Sequence, residues 1–129
     1  MSLAVGQRAE RTFVVTDEVL EAFGVASSDR NPIHFDDEYA ATTRFGGRIA
    51  HGMLTGGFIS AVIANDLPGP GSIYLGQELK FTAPVRPGDS VRVELEVEEI
   101  GDRGRVTLTS RAYVGDTLVV DGRAKVLAP

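Results

Sequence analysis

Three observations predict an α+β domain in which an antiparallel sheet wraps around a helix. The chain after Pro70 alternates apolar and polar residues with a period of two. A mostly apolar stretch over 53–66 precedes it, and turns at 101–104 and 115–116 divide the alternating runs. Alternation with one polar face marks an antiparallel sheet covered on one side, and an apolar helix can supply the cover. At 129 residues the chain is expected to form one domain over 1–129, large enough to bury roughly two-thirds of its unfolded surface.

Each element has a local reason. Residues 11–15 read as a short opening strand. Thr16 then offers an N-cap, Asp17 and Glu18 place negative charge in the first turn, and Val19, Leu20 and Phe23 share one helical face. That helix should end near 24–27. Asp36 is a second N-cap, followed by Asp37 and Glu38, and Gly46-Gly47 is expected to stop the short helix it opens. In 53–66, Gly56 and Gly57 lower helix propensity while Ala61 and Ala64 raise it. All four are small enough to let a sheet, or a ligand, approach closely, so this helix is expected to be buried.

The strands follow. In 72–81 the odd positions Ile73, Leu75, Leu79 and Phe81 make an apolar face, interrupted by Gln77. A lone amide there is costly unless paired, so Gln77 either lines a pocket or satisfies backbone groups. Val91, Val93, Leu95 and Val97 alternate with Arg92, Glu94, Glu96 and Glu98. Val106, Leu108, Ala112 and Val114 alternate with Arg105, Thr107, Thr109 and Arg111, and Leu118, Val120, Ala124 and Val126 complete the pattern.

Composition excludes several function classes. There is no cysteine, which removes disulfides, thiolate nucleophiles and thiolate metal sites and suits a reducing, cytoplasmic location. With two histidines at no familiar ligand spacing, neither a zinc site nor any other metal is expected. A net charge of −5 without a basic run argues against nucleic acid. It leaves room for a phosphorylated ligand held by a few local cations, with Arg44, Arg48, Lys80 and Arg86 as candidates. Residues 1–15 carry charges at Arg8, Glu10 and Arg11 and do not read as a signal peptide, and the longest apolar stretch is too short to span a bilayer.

The stretch Asp29-Arg30-Asn31-Pro32-Ile33-His34 carries the chemistry. Pro32 prevents one helix from holding both the carboxylate and the imidazole, so they should converge from a bent segment. A carboxylate beside an imidazole can activate water or move a proton near neutral pH. The alternative is structural: Asp29 capping a turn and His34 a satisfied polar residue. Asn31 can bond the pair or a substrate amide, or form an Asx-turn. Gly52, just ahead of the apolar helix, either permits the turn or lets a ligand reach the unpaired N–H groups of a helix start. His51 is expected to be structural rather than catalytic.

Asp29-x-Asn31-Pro32-x-His34 with Ala40 beyond it resembles the signature of the MaoC-like (R)-specific enoyl-CoA hydratases. Ala50-His51-Gly52-Met53-Leu54-Thr55, Leu67-Pro68-Gly69-Pro70-Gly71, Tyr74-Leu75-Gly76-Gln77, Leu79-Lys80-Phe81 and Pro84-Val85 with Gly88-Asp89 match that family in order. One departure is Ser28, where the family usually has Gly; its narrower backbone range bears on activity level more than reaction type. The resemblance implies a hotdog fold and a homodimer. It also implies reversible addition of water to a trans-2-enoyl-CoA thioester giving the (R)-3-hydroxyacyl form. Asp29 and His34 would be catalytic and the Gly52 N–H the oxyanion donor, with no cofactor. The alternatives are a (3R)-hydroxyacyl dehydratase acting on acyl carrier protein and, further off, a hotdog thioesterase or a non-catalytic acyl-binding domain.

Overall fold

The computed structural model describes residues 2–129. Strand β1 (Arg8–Val14) leads into helix α1 (Asp17–Ser27), followed by two short helices, α2 (Pro32–Phe35) and α3 (Asp37–Ala41), and the long helix α4 (Gly52–Asn65). Strands β2 (Ile73–Phe81), β3 (Ser90–Ile100), β4 (Arg105–Val114) and β5 (Thr117–Leu127) complete the chain. All five strands form one antiparallel sheet in the order β1-β3-β4-β5-β2, so β1 and β2 are its edges. α4 lies across β1, β3 and β4, which is the sheet-around-helix arrangement of a hotdog fold.

The caps form as their chemistry dictates. Thr16 Oγ1 accepts the Val19 N–H at 3.1 Å, and Asp36 Oδ1 accepts that of Tyr39 at 3.1 Å; such a cap stabilises by about 1 kcal/mol. β1 begins at Arg8, three residues before the expected start, because Arg8, Ala9 and Glu10 pair with Glu96, Leu95 and Glu94. α3 stops at Ala41 rather than at Gly46-Gly47. The Thr42 and Thr43 hydroxyls donate to the carbonyls of Tyr39 and Ala40 and close the last turn earlier.

The core lies between α4 and the sheet. Val91, Val93, Leu95 and Val97 of β3 are at most 1% exposed and meet Ile59, Val62 and Ile63 of α4, with Leu108, Val120 and Ala124 alongside. Full burial of each large side chain contributes about 1.5–3 kcal/mol. β2 departs from expectation. Its odd positions are exposed, Ile73 at 57%, Leu75 at 47% and Phe81 at 53%, and only Leu79 packs against the core. β2 is an edge strand with a bulge between Tyr74 and Gly76, and α4 touches it only through Leu79 and Phe81. Correspondingly α4 is buried on one face only. Gly56 receives the Leu79 side chain, where a Cβ would lie 3.3 Å from Leu79 Cδ1, while Met53, Gly57 and Ala64 face outward. Gln77 is satisfied: its Nε2 donates to the Glu78 carbonyl at 2.8 Å and to Ser110 Oγ at 3.3 Å, and Tyr74 donates to its Oε1. Among the described residues no helix is long and apolar enough to cross a membrane.

Candidate active site

The segment after α1 delivers Asp29 and His34 from different local structures. α1 ends at Ser28, whose backbone takes a left-handed conformation (φ 66°, ψ 9°) that glycine adopts without strain. Ser27 Oγ then accepts the Asp29 N–H at 3.1 Å, and Asp29 Oδ1 accepts the Asn31 N–H at 3.2 Å. Asn31 is the N-cap of α2, its Oδ1 accepting the Ile33 N–H at 3.2 Å, so its carbonyl oxygen serves the Asx-turn of the sequence reading. Pro32 keeps Asp29 off the helix as expected. It also opens α2, whose missing first N–H suits proline, and so places His34 on a helical turn rather than in a loop.

The His34 ring is buried and fixed. Its Nδ1 lies 2.7 Å from the Ile49 carbonyl. A carbonyl only accepts, so Nδ1 carries the proton and Nε2 presents a lone pair. Burial lowers the His34 pKa below the ordinary imidazole value, and the neighbouring His51 lowers it further. The Ile49 hydrogen bond and the Asp29 charge oppose that shift. The result is an imidazole biased toward its neutral, proton-accepting form.

His51, 2% exposed, lies beside it with ring centroids 3.9 Å apart. Asp29, His34 and His51 each bring one potential ligating atom within 4.8 Å of the others. Residue spacing could not show this grouping, because the three come from the end of α1, from α2 and from the start of α4. Each histidine has one nitrogen facing a backbone carbonyl; this leaves His34 Nε2 with a lone pair suited to polarising a water, while His51 Nδ1 is buried without a partner.

These groups open on a cavity of about 730 Å³ that continues past Gly52, Phe81 and Val120. Gly52 is the first residue of α4, and among the described residues its N–H has no hydrogen-bond partner. A Cβ there would come within 2.7 Å of the Phe81 ring, so a larger residue fits where α4 meets β2 only if that exposed ring moves aside. The four candidate cations divide. Arg48 is tied to Asp37 at 2.8 Å and Asp17 at 3.2 Å, and Arg86 donates to the Phe45 carbonyl at 2.6 Å, so both hold the fold together. Arg44 lines the cavity, while Lys80 stands exposed on β2. The sequence reading missed Ile49, whose contribution is a backbone carbonyl and leaves no side-chain signal, and Phe81 as the cover of Gly52.

A family model described as "MaoC like domain" matches residues 3–119. The 3-hydroxybutyryl-CoA dehydratase of Methylorubrum extorquens is 52% identical over 108 residues, covering 83% of this chain and 69% of that protein. The (R)-specific enoyl-CoA hydratase of Rhodospirillum rubrum is 43% identical over 125 residues, covering 96% and 87%. The solved (R)-hydratase from A. caviae superposes with a TM-score of 0.96 at 44% identity, covering 99% and 98%. The chain belongs to the MaoC-like dehydratase family.

Proposed function

We propose that this chain is an (R)-specific 2-enoyl-CoA hydratase, a hydro-lyase that reversibly adds water across the double bond of a trans-2-enoyl-CoA. The observation that carries the reading is the convergence of Asp29 and His34 on a cavity whose next wall is the start of α4, with the Gly52 N–H unpartnered. A water held between the Asp29 carboxylate and His34 Nε2 is polarised for attack on C3 of the acyl chain. As the C3–O bond forms, the double-bond electrons move toward the thioester carbonyl. The Gly52 N–H, at the positive end of α4, stabilises the resulting enolate oxygen. The proton removed from water then goes to C2, which balances the addition without a redox partner or a second reactant. Asn31 holds the turn that aims both groups.

The acyl chain occupies the cavity beside Phe81 and Val120, and Arg44 is the cation suited to a carrier phosphate. β2 is an unpaired edge with exposed apolar side chains, which supports a homodimer joined through it. A cytoplasmic location accords with the absence of cysteine.

Hydration of crotonyl-CoA, followed by loss of the enoyl-thioester absorbance, tests the reading. Asp29→Asn removes the charge at nearly constant shape, and His34→Gln removes the ring. Each is expected to lower turnover by about 10²–10⁴-fold in a folded protein, with the double variant scarcely worse than either single one. Folded single variants that keep more than about a tenth of wild-type kcat, far above the usual effect of losing such a group, would overturn the assignment. Activity on the acyl-carrier-protein thioester alone would move the reading to the dehydratase of that carrier.

A further inference from the structure

We propose that His51 is a positioning residue for this reaction, holding the Asp29 main chain and the His34 ring instead of capping the helix it begins. The inference rests on the assignment of Asp29 and His34 above.

The other three α-helices obey the capping rule: Thr16, Asn31 and Asp36 each accept an N–H from the first turn. His51 occupies the same position on α4, the longest helix, and makes no side-chain cap bond. Ser, Asp or Asn would stabilise that site better. His51 also carries an Nδ1 that is buried without a partner, an arrangement that is destabilising. Local stability thus argues against histidine here on two counts.

What the ring does instead lies across the site. Nε2 donates to the Asp29 carbonyl at 3.0 Å. Asp29's other hydrogen bonds run to Ser27 and Asn31, within its own turn. Among the described residues the His51 bond is therefore the one that ties residue 29 to another part of the chain. The same ring stacks on His34 at 3.9 Å with a 31° tilt, and Phe23 at 4.8 Å and Phe35 at 5.4 Å hold it from other sides. One side chain on the rigid end of α4 therefore sets the main chain of Asp29 and the seat of His34. Displacing reacting groups by about 1 Å can cost as much as 10²-fold in rate, so this support matters for turnover.

The test separates support from stability. His51→Asn installs a favoured N-cap but is too short to reach the Asp29 carbonyl. We expect it to fold, with a melting temperature equal to or above wild type, and to lose about tenfold or more in kcat on crotonyl-CoA with KM little changed. His51→Gln carries an amide N–H at nearly the reach of Nε2 and should recover most of that kcat. His51→Phe keeps the ring volume and removes both nitrogens; it should lose kcat as Asn does, and it decides the matter if the Asn variant does not fold.

The inference is overturned if the folded Asn or Phe variant keeps more than about a third of wild-type kcat, well inside the effect of a displaced group. It is equally overturned if kcat falls only in step with thermal stability, or if the loss sits in KM. Asp29→Asn and His34→Gln belong in the same assay. If they retain activity, the catalytic assignment fails and this inference with it. If they lose activity while the His51 variants do not, only the role of His51 is wrong.

Discussion

β3 and β2 carry the same apolar alternation and meet opposite fates. Val91, Val93, Leu95 and Val97 of β3 are at most 1% exposed, in the middle of the half of the sheet that α4 covers. Ile73, Leu75 and Phe81 of β2 stand open at the far edge. Period-two alternation reports which way side chains point and not whether anything covers them. The contrast extends beyond the strands. The β3 side of the molecule holds the packed core, although β1 is itself an open edge. The side that holds β2 and the start of α4 gathers the unsatisfied features: the open apolar face, the free Gly52 N–H, the orphaned His51 Nδ1 and the left-handed Ser28. The proposed catalytic groups lie on that second side, where groups remain available to bind something.

The largest effect expected from this contrast is on stability. Leu95→Ala empties part of a packed core and should cost about 2–5 kcal/mol in denaturant unfolding. Leu75→Ala should change the stability of the dilute protomer by no more than about 0.5 kcal/mol, as for an exposed site. Leu75→Lys places a charge on the edge strand, a substitution that blunts edge pairing; sedimentation should then show a shift from dimer toward monomer. Equal costs for the two alanine variants in a chain that sediments as a monomer would erase the distinction between the strands.

Sequence reasoning worked where structure is decided locally and faltered where a distant partner decides. The caps at Thr16 and Asp36 and the turn at Asn31 were legible because acceptor and donor lie within a few residues. The β3, β4 and β5 alternation was legible because those strands neighbour one another in both sequence and sheet. Asp29, Asn31, His34 and Gly52 stood out by residue type and order. The cavity shared by Asp29, His34 and Gly52 did not, because it needs β2 to bring Phe81 against α4. Arg48 and Arg86 resembled free cations until the fold supplied Asp17, Asp37 and the Phe45 carbonyl. His51 was read as structural from its place at a helix start and because the motif gives the chemistry to His34; what it supports was not legible, because Asp29 and His34 are far from it in the chain.

The site's pH response sharpens the contrast at the level of chemistry. Burial lowers the His34 pKa, so its neutral form persists to lower pH than that of an exposed histidine. With His34 as the proposed base, kcat/KM should hold constant through mildly acidic pH. It should decline only below the ordinary imidazole value of about 6.5. The same shift links to stability: the unfolded chain takes up the proton first, so the contribution from neutral His34 is fully present above the unfolded pKa. It is lost as pH falls through the folded pKa. A pH–rate profile whose acid limb sits above about 6.5, or which vanishes on replacing an unrelated carboxylate while His34 is intact, would reject His34 as the base.

The smallest expected effect concerns Ser28. Its φ of 66° lies in the region that costs a residue with a Cβ about 1–2 kcal/mol, and its side chain is exposed. Ser28→Gly removes the strain while adding conformational freedom to the unfolded chain, so the two effects partly cancel. A net gain from a few tenths to about 1 kcal/mol is expected, read as a rise of a few degrees in melting temperature. Turnover should change little, because Asp29 is held by Ser27 Oγ through its N–H and by His51 through its carbonyl, and neither bond involves the Ser28 side chain. A lower melting temperature would show that the left-handed turn is not strained. A several-fold rise in kcat would show that Ser28 displaces Asp29 despite those two bonds, and that the incomplete side of the molecule is tuned by its backbone as well as by its side chains.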